Sequence, residues 1–110
     1  SPFEIESALL ELPEIVESAA IAAPDDLLFE KVVVFVVLRG DKINHEELNL
    51  KIRLHIAHRV SSIATPQDVL FVKSIPKNKS GKIMRRVLKA QYHGKNAGDT
   101  STLEAEDDSI

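Results

Sequence analysis

The run Val32-Val33-Val34-Phe35-Val36-Val37-Leu38 constrains this chain more than any other stretch. It holds seven consecutive apolar residues, five of them valine, and ends at the turn signal Arg39-Gly40. A β-branched run without polar alternation reads as a strand buried on both faces. Such a strand needs cover on each side. Two further strands are readable beside it. Ser18 to Ala23 is a small-apolar run closed by Pro24-Asp25-Asp26, and Asp68 to Lys73 alternates between polar and apolar residues.

The cover comes from helices. Ser1-Pro2-Phe3-Glu4 has the form of a capping box with proline at the first helical position, and Ile5, Ala8, Leu9 and Leu12 follow at helical spacing until Pro13. Asn44 with Glu47 three residues on predicts a second helix start. In that helix Leu48, Ile52, Ile56 and Val60 form one stripe, broadened by Leu50 and Leu54. Ser80 is read as the cap of a last helix with Ile83, Val87 and Leu88 on one face. From Gly94 onward the chain is rich in Gly, Ser, Thr and acids without an apolar period, which predicts a mobile tail. The expected fold is therefore α+β: a small two-layer domain in residues 1–93, with an about three-stranded sheet covered by helices in the order α-β-β-α-β-α. A flexible acidic tail over 94–110 completes it.

Charge narrows the search for a site. The formal net charge of −3 over 110 residues hides a sharp division. Residues 1–68 carry 6 Lys/Arg against 12 Asp/Glu, residues 69–98 carry 8 bases and no acid, and residues 99–110 carry 5 acids and no base. A carboxylate-free stretch of that length invites an anionic partner, with a solvated basic face as the plain alternative. No cysteine is present, which excludes thiol nucleophiles, thiolate metal sites and disulfides. No run reaches the length of a membrane span.

Within the basic stretch, Pro76-Lys77-Asn78-Lys79-Ser80-Gly81-Lys82-Ile83-Met84-Arg85-Arg86 breaks a local rule. With Ser80 as N-cap, Lys82 falls in the first helical turn, where the macrodipole disfavours a cation. An arriving phosphate or carboxylate would relieve that repulsion. A Walker A loop is excluded because Pro76 stands where it needs glycine and Ile83 where it needs Ser or Thr. His55 and His58 face solvent in this reading and lack a carboxylate at ligand spacing, so no metal site is assigned. Ser80 lacks a neighbouring base and is a cap rather than a nucleophile. Met84 and Phe71 are assigned to the core.

The stretch from Pro76 to Leu88 closely resembles the last core motif of the adenylate-forming superfamily, which includes acyl- and aryl-CoA synthetases, luciferases and peptide-synthetase adenylation domains. Ser1 to Leu9 resembles its opening helix after the interdomain hinge, Pro13 to Ala20 the approach to its first strand, and Val33 to Leu38 its central strand. Ala64-Thr65-Pro66 with Asp68-Val69-Leu70, the Ser-Gly-Lys-Ile-Met-Arg-Arg form, and Gly98 to Leu103 are most similar to AMP-forming acetyl-CoA synthetases and their short- and medium-chain relatives.

This resemblance implies the C-terminal lid domain of an acid:CoA ligase, with the hinge and thioester-face hairpin lying before Ser1. It implies Lys82 as the catalytic lysine of adenylation, carried on an approach loop of Lys79, Ser80 and Gly81. The arginine with which acetyl-type enzymes contact the CoA phosphate aligns with Ala57, leaving Arg59 as the candidate for that contact. Arg85 and Arg86 take structural or interface roles. ATP with Mg2+, CoA and a small carboxylic acid are the implied substrates, bound mainly by an N-terminal domain of the same chain, about which this domain swings between half-reactions. Further expectations are cytoplasmic location, no membrane or nucleic-acid partner, inactivity of the isolated domain, and control of Lys82 by a lysine acyltransferase and deacylase. Two other readings stay open: an adenylating enzyme for longer or aromatic acids or a carrier protein, and a basic module gripping nucleic acid or an acidic partner. Against nucleic acid, no aromatic residues interleave with the basic stretch.

Overall fold

The computed structural model describes residues 1–97, which run in the order α1 (Pro2–Leu9), β1 (Ile15–Asp25), β2 (Phe29–Leu38), α2 (His45–Arg59), β3 (Asp68–Phe71) and α3 (Arg85–Ala97). The expected element order holds. β2 takes the middle of a three-stranded sheet, as the resemblance implied, with β1 antiparallel on one side and β3 parallel on the other. The register sets Ala20 opposite Val34, Ile21 opposite Val33, and Phe35 opposite Leu70. Val33 through Val36 are all buried, so both faces of β2 are covered. The described residues divide into two compact units, with the boundary between Ile75 and Pro76.

In the first unit α1 and α2 share one core with the sheet. Leu9, Leu12, Ile15, Ala20, Val34, Val36, Leu48, Ile52 and Ile56 belong to a single buried cluster. Alternation of side chains along a strand explains the membership: Val34 and Val36 face the helices, while Val33 and Phe35 point the other way. α2 starts as expected, with the Asn44 Oδ1 accepting from the Glu47 N–H at 3.0 Å. Its buried stripe is narrower than its composition suggests. Leu50 and Leu54 are 60% and 63% exposed and lie off the core face, because residues two apart are turned about 200° from one another around a helix. Arg53 ties the end of this layer to the β3 approach, donating to the Pro66 carbonyl at 2.7 Å and the Gln67 carbonyl at 3.0 Å.

α1 enters without the expected capping box: the Ser1 side chain makes no capping hydrogen bond. Its stabilising polar contact lies deeper. The buried Glu6 carboxylate accepts from the Ala20 N–H at 2.9 Å, and the Ser18 hydroxyl donates to the Glu6 carbonyl at 2.9 Å. Among the described residues β1 pairs with a strand on one side, β2, and Glu6 satisfies a backbone donor of this edge strand.

The β1–β2 turn is strained. Asp25 Oδ2 accepts from the Leu27 and Leu28 N–H groups at 3.0 and 2.8 Å, and those two bonds hold its carboxyl below the usual aspartate range. Phe29 then adopts a φ of +71°, a region that a bulky side chain enters only at a cost. The residue is 87% exposed, so packing offsets little of that cost. Phe29→Gly is expected to stabilise the chain by about 1 kcal/mol, the relief of strain exceeding the added freedom of the unfolded state. The urea midpoint checks this; an unchanged or lower midpoint contradicts it.

The last helix corrects the expected boundaries. It begins at Arg85 rather than Ser80, which removes Ile83 from its face. Val87, Leu88 and Tyr92 are buried, whereas Met84 and Phe71, assigned to the core, are only partly so. The helix runs through Gly94 to Ala97, where the tail was expected to have begun; the rest of that tail, residues 98–110, lies outside the described residues.

Candidate active-site loop

Lys82 sits in a tight hairpin turn ahead of α3. Lys77 and Ile83 form an antiparallel bridge, the Met84 N–H donates to the Pro76 carbonyl at 2.9 Å, and the Asn78 N–H donates to the Lys82 carbonyl at 2.9 Å. Between them the Gly81 N–H donates to the Asn78 carbonyl at 3.0 Å, and Gly81 has a φ of +86°. A three-residue hairpin loop ending in a left-handed residue has this form, and glycine takes that conformation without strain. A Cβ at Gly81 would meet nothing within 4 Å, so glycine is needed here for its backbone conformation and not for close approach.

Asn78 is the hub of the turn. Its Oδ1 accepts from the Ser80 N–H at 3.0 Å, the Ser80 hydroxyl at 2.8 Å and the Lys82 N–H at 2.9 Å. Ser80 thus serves the turn and caps no helix. Sequence reasoning missed Asn78. The signal was there: Asn followed three residues later by Gly, between two residues that pair, is turn chemistry.

Lys77 through Lys82 are all exposed, and Lys82 has no hydrogen bond or ion pair to its ammonium among the described residues. The backbone at this lysine is fixed while the side chain is free to extend. The dipole conflict expected at Lys82 shifts to Arg85 and Arg86, which occupy the first turn of α3, a turn whose own residues include no acid. Arg85 is partly buried and Arg86 exposed. Lys79, Ser80 and Gly81 thus stand in one turn with Lys82.

Arg59 belongs to the other unit, at the end of α2, and is engaged. Its Nε and Nη2 donate to the two carboxylate oxygens of Glu11 at 2.9 and 2.8 Å. His55, expected to face solvent, instead places Nε2 2.9 Å from the Ala8 carbonyl and 3.0 Å from Glu11 Oε1. The Arg59 hydrogen bond, with the His55 bond and the charge of both, holds the Glu11 carboxyl at a pKa of about 2, down from its ordinary 4.5. A group whose folded pKa is depressed adds stability that is complete above its unfolded value and lost as pH falls through the folded one. Stability is therefore expected to decline from about pH 4.5 towards pH 2, and Glu11→Gln is expected to flatten that decline. Parallel acid-denaturation curves for the two proteins contradict it.

Among the described residues no group of three His, Cys, Asp or Glu could hold a metal ion, and no helix is long and apolar enough to cross a membrane.

The family described as the AMP-binding enzyme C-terminal domain matches residues 4–82, from α1 through the turn lysine. The acetyl-coenzyme A synthetase of Pyrobaculum aerophilum is 42% identical over 104 residues, covering 94% of this chain and 16% of that protein. The acetyl-coenzyme A synthetase of Bacillus subtilis is 42% identical over 103 residues, covering 94% of the chain and 18% of that protein. Among solved structures, the acyl-CoA synthetase of Brucella canis superposes with a TM-score of 0.80 at 37% identity over 86% of this chain and 18% of that one. The chain thus spans less than a fifth of the length of each relative.

Proposed function

Because the chain belongs to the family of AMP-binding enzyme C-terminal domains, we propose that Lys82 serves the adenylation half-reaction of an AMP-forming acid:CoA ligase acting on acetate or another short carboxylic acid. The observation that carries this reading is an exposed lysine, unpaired among the described residues, on a turn whose backbone is pinned on both sides. The similarity to acetyl-coenzyme A synthetases supports the choice of acid.

The chemistry asks for such a group. A carboxylate oxygen must attack the α-phosphorus of ATP, forming a mixed anhydride and expelling pyrophosphate, and both reactants are anions. An ammonium between them lowers their repulsion and meets the negative charge that builds on the phosphoryl oxygens. A long flexible side chain on a fixed backbone can reach into a site built by a second domain and be withdrawn when the domain turns for thioester formation. The basic turn does not fit a divalent cation, so the Mg2+ that accompanies ATP is assigned to the rest of the protein, as are the nucleotide and acid pockets. Arg59 is proposed for the CoA phosphate only through the part of its guanidinium that Glu11 leaves unused, or after leaving Glu11. Regulation by acylation of Lys82 and a cytoplasmic location also belong to this reading.

The test is pyrophosphate release by the full-length protein with ATP and a series of acids. Release with acetate or propionate, with CoA-dependent AMP formation, supports the proposal. Release only with long or aromatic acids overturns the choice of acid, and no acid-dependent release overturns the reading.

A further inference from the structure

We infer that Asn78 is a positioning residue for adenylation, its side-chain amide setting the direction in which the Lys82 ammonium is delivered. This rests on the role proposed for Lys82. A lysine side chain is a flexible stem, so the accuracy of its tip depends on the backbone from which it springs. At Lys82 that backbone is held by one residue: its N–H donates to Asn78 Oδ1 at 2.9 Å and its carbonyl accepts from the Asn78 N–H at 2.9 Å.

The same Oδ1 gathers the Ser80 N–H and hydroxyl at 3.0 and 2.8 Å, and the Asn78 carbonyl accepts from the Gly81 N–H at 3.0 Å. Residues 77 to 82 are all exposed. Packing therefore contributes little to the shape of this turn, and hydrogen bonds converging on Asn78 determine it. Removing the amide leaves the Lys77–Ile83 bridge and the two backbone bonds, but frees the Lys82 N–H and the Ser80 hydroxyl to reorient. The turn persists with a wider spread of lysine directions. Catalysis suffers from such a spread more than folding does, because a misplacement of about 1 Å can cost about 100-fold in rate.

In the full-length protein Asn78→Ala is expected to lower the adenylation kcat about 10- to 100-fold with little change in the KM for ATP. Asn78→Ser, whose hydroxyl is a shorter acceptor, should recover part of the loss. Thioester formation from supplied acyl-adenylate and CoA should match the unaltered protein in both variants, as should the melting temperature. Adenylation within twofold of the unaltered protein in Asn78→Ala overturns the inference. So does an equal loss of both half-reactions, or no recovery in Asn78→Ser. Lys82→Ala run alongside separates the two levels: full adenylation there overturns the proposed function itself, whereas its loss beside a normal Asn78→Ala overturns only the positioning role.

Discussion

Replacing Lys82 with alanine in the full-length protein is expected to slow acid-dependent ATP–pyrophosphate exchange about 100- to 1000-fold, equivalent to about 2.7–4 kcal/mol of transition-state stabilisation. That range is the cost of removing one preorganised charge partner from a site shielded from water. It should appear in kcat and kcat/KM together, since in the proposed role the charge that Lys82 meets is largest in the transition state. The domain itself should be untouched, because the side chain is exposed and none of its atoms supports the turn. Only its main chain does, and alanine keeps that. A Lys82→Ala protein with normal exchange, or with a lowered melting temperature, contradicts the assignment.

The second large effect concerns the frame that carries the site. Ile52 is fully buried in the cluster shared by α1, α2 and the sheet, among Leu9, Val34, Val36 and Ile56. Ile52→Ala removes apolar surface and leaves a void, at a cost of about 2–5 kcal/mol. A domain of this size has about 5–15 kcal/mol in total, so the substitution should visibly lower the urea midpoint of the chain. Leu50→Ala on the same helix should cost less than about 0.5 kcal/mol, since its side chain is mostly in solvent. Equal effects at the two positions would mean that the buried stripe of α2 is misassigned.

The contrast between those leucines and isoleucines also marks where sequence reading succeeds. The burial of β2 was legible because a valine run with no polar member needs cover on both faces. The start of α2 was legible because Asn44 and Glu47 encode a cap that forms as written. Leu50 and Leu54 were not, because hydrophobicity alone carries no angular information and only the helical period does. The parallel pairing of β3 with β2 is likewise invisible in four residues that any neighbour could accept.

The candidate site was half legible. Lys82 stood out by motif and by charge, yet its setting was misread as a helix start, since Ser80-Gly81 followed by Ile83, Val87 and Leu88 imitates a cap and an apolar face. What decides for a turn is the Asn78 side chain, which captures three donors that a helix start would have used otherwise. The strained Phe29 left no trace in pattern or propensity, because nothing local requires a left-handed conformation there.

The central claim is that Lys82 acts in one half-reaction and not in the other. It is tested most directly by giving the Lys82→Ala full-length protein presynthesised acyl-adenylate and CoA, and timing thioester formation in a single turnover. A rate equal to that of the unaltered protein is expected, beside a collapsed adenylation rate. A thioester rate reduced in the same proportion as adenylation would contradict it.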